Sequence, residues 1–335
     1  MSQLEFAAIV ESLDAALERR RAGIGDLGTA DTDCFRLVDG AADRVDGLVV
    51  EVLGSVAVLQ EHVGRYRGSE RSLTGVAQWV LDRFPAVRSV YRKRFVADRT
   101  STREDERHRD PEPLLGVRAA PAIVAKENGL RFRIRPYDGY SVGLFLDQRA
   151  HRQFVTATLE PGSAVLNAFA YTGGFSVYAA ARGAAVDTVD VSRRYLEWAK
   201  ENFAENGLAL EKHRFFADNA VLFLKRAMKR PKRYDLVVLD PPSFSRSKEG
   251  VFRVRADLPD LSRMASALLA PGGLLFVSCN HEAWPMEAFE DELAWALDGS
   301  ALRRVRLPDV PFDFSGSRQP LRAATWRLAT AGARS

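Results

Sequence analysis

The sequence predicts an α/β fold: a doubly wound, mostly parallel sheet with an antiparallel edge near its C-terminal end, preceded by a smaller α+β domain. Three observations carry that expectation. Apolar runs of strand length alternate with amphipathic helical stretches from residue 164 to about residue 278, the pattern that builds βαβ units. The first of them, AVLNAFAYTGGFS at 164–176, passes from a short apolar strand through paired glycines into a small-residue helix. Acidic residues then end the following runs, Asp190, Asp218 and Asp240, at the edge where open parallel sheets hold their ligands.

Before the sheet, an amphipathic stretch, LEFAAIVESLDAALERRRAGI, stops near Gly25 or Gly28. From Cys34 onward two β-rich runs, LVVEVL and VAVLQEHV, meet at Gly54-Ser55 as a hairpin. A helix over LTGVAQWVLDRF and a short strand, SVYRKR, come next. Residues 96–115 are charged and dotted with proline, the pattern of an exposed loop or linker. A second hairpin, KENGLRFRI, precedes a helix start at LDQR. These signals divide the chain into an N-terminal helix at 1–28, a small hairpin domain and linker at 29–115, and the main domain at 116–335.

Within the main domain, Gly173 and Gly174 lack the Cβ that would keep a ligand from backbone amides at a helix start. Asp190, at the end of AAVDTVDVS, is placed to accept both hydroxyls of a ribose. Ser192 is the N-cap of the next helix, which closes at Gly207. Asp218 either faces the same crevice or caps the helix NAVLFL, and Asp240-Pro241-Pro242 end the buried strand YDLVVL. After PGGLLFVSC, a helix, PMEAFEDELAWALDGS, leads to two β-like runs, ALRRVRL and AATWRLAT, which suggest the antiparallel edge.

The composition, 46% hydrophobic and 27% charged, is that of a soluble chain. It has no bilayer-length apolar run and no signal-peptide start, so no membrane partner is expected and the cytoplasm is the default. Cys34 and Cys279 are far apart and no zinc-ligand spacing exists, so no metal is expected. The run KRAMKRPKR at 225–233 packs six cations into nine residues. It suits either an RNA phosphate backbone or a helix C-terminus whose dipole favours cations. A second Arg-rich run at 91–109 is diluted by acids and fits a solvated loop.

The succession LFLDQRAHR, LNAFAYTGGFSVYAA, DTVDVSRRYLEWAKENFAENG, FFADNAVLFL, YDLVVLDPPSF and PGGLLFVSCN resembles the class I S-adenosylmethionine-dependent methyltransferases. Within them it is similar to the bacterial family that makes 5-methylcytosine in 23S ribosomal RNA. The resemblance implies a Rossmann-like methyltransferase domain at 116–335, S-adenosylmethionine as cofactor, 23S RNA as substrate and a possible homodimer. It further implies that Asn167, Phe169, Tyr171, Thr172 and Gly173 line the methionine end of the cofactor. Asp190, with Ser192 beside it, would hold the ribose, Asp218 the adenine amino group, and Asp240 would stand beside the methyl group. Pro241, Pro242 and Phe244 would meet the base, and Lys225, Arg226, Lys229 and Arg230 the phosphates. Cytosine C5 is a poor carbon nucleophile until a thiolate adds to the neighbouring ring carbon, and the matching segment gives Cys279 that role.

The chain departs from the family at three places. Its cysteine lies in Ser278-Cys279-Asn280-His281 rather than between serines. Gly139-Tyr140-Ser141-Val142-Gly143 replaces a Gly-Gln-Lys-Thr-Gly segment, and the usual N-terminal PUA-type RNA-binding module is expected to be missing, with only a helix in its place. The alternatives are therefore an RNA guanine-nitrogen methyltransferase that needs no thiol, a small-molecule methyltransferase, and a non-catalytic RNA-binding protein. His281 is either a proton acceptor or a rim residue.

Overall fold

Two hydrophobic cores form, one in each unit into which the chain divides: Met1–Asp147 with Pro311–Arg318, and Gln148–Val310 with Gln319–Ser335. The computed structural model describes residues 3–24, 31–96, 108–247, 250–281, 283–314, 316 and 321–330.

In the first unit, helix α1 (Gln3–Ile24) buries Leu13, Ala16 and Leu17 in the core of a five-stranded sheet. Strands β1 (Cys34–Asp39), β2 (Leu48–Leu53) and β3 (Val56–His62) form an antiparallel meander. Its expected turn is at Gly54, whose φ of +60° and a carbonyl 2.8 Å from any added Cβ leave room only for glycine. Helix α2 (Glu70–Arg83), capped by the Ser69 hydroxyl, returns the chain so that β4 (Ser89–Phe95) runs parallel to β3, and β5 (Leu115–Gly116) closes that edge. Strands β6 (Ile123–Glu127) and β7 (Leu130–Ile134) turn through Asn128-Gly129, both at positive φ, as a two-residue hairpin prefers.

The unit runs on to Asp147, past the expected boundary at 115/116. The reason is hydrogen bonding: Asp33 N donates to the Lys126 carbonyl (3.0 Å) and Lys126 N to Asp33 Oδ1 (2.6 Å), which ties the β6–β7 hairpin to β1. Residues 97–107 of the expected linker lie outside the described residues, but its remainder, from His108, is folded. His108 is buried and its Nε2 accepts the Arg94 N–H, and Leu114 N donates to the Val90 carbonyl.

The second unit carries a seven-stranded mixed sheet in the order β10-β9-β8-β11-β14-β16-β15. After α3 (Arg149–Thr156) the chain lays down β8 (Ala164–Ala168), α4 (Gly174–Ala181), β9 (Ala185–Asp190), α5 (Arg193–Glu205), β10 (Arg214–Ala217), α6 (Ala220–Ala227) and β11 (Tyr234–Leu239). These four strands are parallel, and the order reverses between β8 and β11, which opens a crevice at their carboxyl ends. A hairpin, β12 (Phe244–Ser247) and β13 (Gly250–Arg253), then helix α7 (Val254–Ser266), lead to β14 (Leu269–Cys279), parallel to β11. Helix α8 (Met286–Ala296) and β15 (Leu302–Val305) come after it, and β16 (Arg322–Leu328) pairs antiparallel with both β14 and β15. The expected sheet and its antiparallel edge are both present. The hairpin and α7 were not foreseen, because FSRSKEGVFR has weak alternation and a helix containing Pro259 gives a poor helical signal. No helix among the described residues is long and apolar enough to cross a membrane, and no three His, Cys, Asp or Glu side chains among them cluster as metal ligands.

The most demanding polar group of the first unit is Asp43. Its carboxylate accepts from Arg20 Nη1 (2.8 Å) and Nη2 (2.6 Å), from Arg19 (2.5 Å) and from the Asp39 N–H (2.6 Å), and Arg20 is itself buried. Burial opposes its charge, but the Arg20 and Arg19 hydrogen bonds win and hold its carboxyl below the usual range. Removing one partner strands a buried cation. Asp43→Ala is expected to cost about 3–5 kcal/mol in a urea titration, a loss that wild type approaches only as pH falls through the depressed folded-state pKa.

Candidate active site

The candidate site is built where β8, β9, β10, β11 and β14 end. Beyond β8 the chain takes two non-glycine residues into the left-handed region, Phe169 (φ +59°) and Tyr171 (φ +50°), before Gly173 (φ +78°) opens α4. Such backbone costs about 1–3 kcal/mol per residue and persists only where neighbours fix it. Strand β9 fixes it here. Ala170 N donates to the Val189 carbonyl (3.0 Å), and Tyr171 N to Asp190 Oδ2 (2.9 Å). The other carboxylate oxygen of Asp190 accepts Ser192 N (2.8 Å), and the Ser192 hydroxyl caps α5 through Tyr195 N. Burial raises the Asp190 carboxyl above its ordinary range, and the two N–H donors work against that rise.

The residues expected around the methionine end divide into two groups. Asn167 and Thr172 present no surface: Asn167 Nδ2 donates to Ser176 Oγ (2.9 Å) inside the fold, and Thr172 is buried with its carbonyl accepting from Asn202. Packing alone requires Gly173, since a Cβ there would come within 2.9 Å of the Ala199 Cβ on α5. Phe169 and Tyr171 remain part-exposed, the first against Phe252 of the hairpin (5.6 Å between centroids), the second edge-on to Tyr195 (4.6 Å). Between Asp190 and Ser192, Val191 is 65% exposed. This apolar side chain beside a strand-end acid is an addition to the expected residues, and its position directly after Asp190 is the signal that marks it.

Asp218 is not the helix cap. Asn219 is, its Oδ1 accepting from the amides of Val221 (3.0 Å) and Leu222 (3.2 Å), while Asp218 is half-buried, pairs with Arg226, and donates its own N–H to the Asp190 carbonyl. The basic run is not beside the crevice. Helix α6 carries the chain from the carboxyl end of β10 back to the amino end of β11, because those strands are parallel. Lys229 and Arg230 thus stand at the opposite edge of the sheet from Asp240, and Lys232, with Arg214 and the Tyr234 hydroxyl, donates to the buried carboxylate of Asp187. Of the four predicted phosphate ligands, only Arg226 reaches back toward the site, and it does so through Asp218.

The centre of the site is Asp240. Its Oδ1 accepts from Ser278 Oγ (2.7 Å) and its Oδ2 from Gln148 Nε2 (3.2 Å), which also donates to Ser278 Oγ (3.0 Å). Pro241 is buried, Pro242 is exposed, and Phe244 is 49% exposed at the start of β12. The Ser243 hydroxyl, which donates to the Asn280 carbonyl, pins this loop to the end of β14.

Cys279 is placed differently from the expectation. The strand register sets Val238 against Phe276 and Leu239 against Val277, and side chains alternate between faces. Ser278 therefore shares its face with Phe276 and the Asp240 carboxylate. Cys279 points with Leu275 and Val277 into the core beside Trp284. It is 0% exposed, and burial first, then the Asp240 charge, push its thiol up to about 12, the reverse of an activated nucleophile. His281 is part-exposed with its ring edge-on to Trp284, a rim position.

Comparison with known proteins gives the family and the fold. Residues 107–316 match the family model described as S-adenosylmethionine-dependent methyltransferase. A ribosomal RNA large subunit methyltransferase of Deinococcus radiodurans is 35% identical over 315 residues, covering 91% of this chain and 74% of that protein. A ribosomal RNA large subunit methyltransferase K/L of Colwellia psychrerythraea is 31% identical over 330 residues, covering 97% of this chain and 44% of the relative, so the chain spans under half of that protein. Among solved structures, SMU.776, described as a methyltransferase complexed with SAH, superposes with a TM-score of 0.83 at 24% identity, covering 96% of this chain and 82% of the other.

Because both cysteines are buried, neither is expected to react with Ellman's reagent in the native protein. At pH ~9 only about a thousandth of a thiol with a pKa near that of Cys279 would be ionised even if reachable. Two thiols should titrate once denaturant is added.

Proposed function

This chain belongs to the S-adenosylmethionine-dependent methyltransferase family, and we propose that it methylates a guanine nitrogen in large-subunit ribosomal RNA without a covalent enzyme–base adduct. The cofactor supplies a methyl group on a cationic sulfur. The residues at the strand ends fit it: Asp190 keeps acceptor capacity on both oxygens for ribose hydroxyls, since each has taken one N–H donor. Val191 offers an apolar face for a purine, and Asp218 an acceptor for its amino group.

The observation that carries the reading is the Asp240 carboxylate, which holds a donor on each oxygen while the only nearby thiol is sealed in the core. A carboxylate offers about four acceptor positions and no donor. Such an acceptor suits guanine, whose Watson–Crick edge presents adjacent N1–H and amino N–H donors, whereas adenine and cytosine each pair a donor with an acceptor there. The proton released when N1 or the amino nitrogen is alkylated then passes to the same carboxylate or to water. Phe244, exposed next to it, can stack on a base turned out of its helix. The relatives named for large-subunit RNA support the substrate class. The exposed cations Lys225, Lys229 and Arg230, at the far edge of the sheet, would serve phosphates distant from the target base.

Mass-spectrometric mapping of ribosomal RNA from cells with and without the gene tests the reading, with a methylguanosine expected to disappear. Loss of a 5-methylcytidine would overturn it and restore the Cys279 mechanism. In purified protein, Cys279→Ala is expected to keep kcat within about threefold, and Asp240→Ala to lower it by about 10²-fold or more. Lys229→Glu with Arg230→Glu should leave cofactor affinity unchanged. The same double change should flatten the logarithmic salt dependence of RNA binding by about one unit per lost phosphate contact.

A further inference from the structure

Beyond the groups at the crevice, the orientation of the Gln148 amide needs a cause. Its nitrogen faces Asp240 and Ser278 and its oxygen faces His151, whose Nδ1 lies 3.0 Å from Gln148 Oε1. Rotating the amide by half a turn would set oxygen against the Asp240 carboxylate and leave Ser278 Oγ without that donor. An amide oxygen can only accept, so the imidazole atom facing it must carry a proton.

We propose that His151 is a positioning residue: as the neutral Nδ1–H tautomer it donates to Gln148 Oε1, which fixes the amide so that both of its N–H groups hold Asp240 and Ser278 in place. The proposal rests on the reading of Asp240 as the group that meets the target base. Three features favour the neutral tautomer. His151 is buried, its ring packs at 5.5 Å from that of Phe276, and Arg152 is next to it in sequence. Burial, with Arg152 acting in the same direction, lowers its pKa to about 4, so the ring does not charge at neutral pH. Gln148 precedes the first turn of α3 and His151 lies within it, three residues on, so one helical turn presents both side chains to the end of β14. Ser278 then completes a closed triangle, accepting from Gln148 and donating to Asp240. A group fixed in this way needs no reorganisation when the base arrives, and misplacement by about 1 Å can cost about 10²-fold in rate.

The tautomer can be read directly from long-range proton–nitrogen correlation spectra of wild-type protein with labelled histidine. An Nδ1–H, Nε2-unprotonated ring for His151 is expected, and the Nε2–H tautomer or an imidazolium at neutral pH overturns the proposal. In kinetics, His151→Leu should lower kcat by about tenfold to 10²-fold while the KM for S-adenosylmethionine changes less than about twofold. His151→Asn, whose side-chain N–H occupies the place of Nδ1–H, should recover kcat to within about threefold. Full kcat in the leucine variant, or no recovery in a folded asparagine variant, overturns the proposal. Should the leucine variant not fold, the wild-type spectrum still decides. Asp240→Ala measured in parallel tests the underlying reading separately, since the tautomer does not depend on it.

Discussion

The carboxylate of Asp190 is the contact on which the rest of the site depends. One oxygen holds the amide of Tyr171 beyond β8 and the other holds the amide of Ser192 beyond β9. The loop it secures contains two residues at positive φ, a strain of a few kcal/mol in total. Two hydrogen bonds to a charged acceptor contribute about 1.5–3 kcal/mol each, enough to offset it. Burial pushes the carboxyl toward its neutral form, so loop shape and ionisation are coupled: protonation would weaken the bonds that keep Phe169 and Tyr171 in place. Gly173 completes the bend by letting α4 approach Ala199 on α5.

A second constraint, the two-residue period of β14, divides the chemistry between the faces of the sheet. Phe276 and Ser278 look toward α3, where His151 and Gln148 wait, and Leu275, Val277 and Cys279 look into the core beside α7 and α8. A hydroxyl and a thiol next to each other in sequence thus meet opposite surroundings. Ser278 joins the polar triangle around Asp240, and Cys279 behaves as a small apolar side chain.

Much of this was legible in the residues themselves. Alternating apolar runs gave the parallel sheet, KENGLRFRI gave the second hairpin, and the acids at or just beyond the ends of β9, β10 and β11 marked the carboxyl edge. The parts that stayed hidden depend on information that a linear pattern does not hold. Asn167 turns inward to a hydrogen bond with Ser176 on α4, and Thr172 is buried where its carbonyl accepts from Asn202 on α5. Asn219 rather than Asp218 caps α6 because of a shift by one residue that composition does not resolve. Gln148 and His151 stand in the motif LFLDQRAHR, but their contacts with one another, Asp240 and Ser278 appear only once α3 lies against the ends of β11 and β14. The face of Cys279, by contrast, could have been read from alternation along LLFVSC, and the placement of KRAMKRPKR from the direction that a crossover helix must take.

The first unit is not a continuous piece of chain, because 311–318 belong to it although they come after most of the catalytic sheet. Within that short return, Asp313 accepts the Arg36 amide (2.9 Å) and the Phe314 ring lies 4.0 Å beneath the Arg36 guanidinium. Cutting the gene at a single point therefore cannot release either half intact. A chimaera made by exchanging modules with a related enzyme would have to carry both segments together.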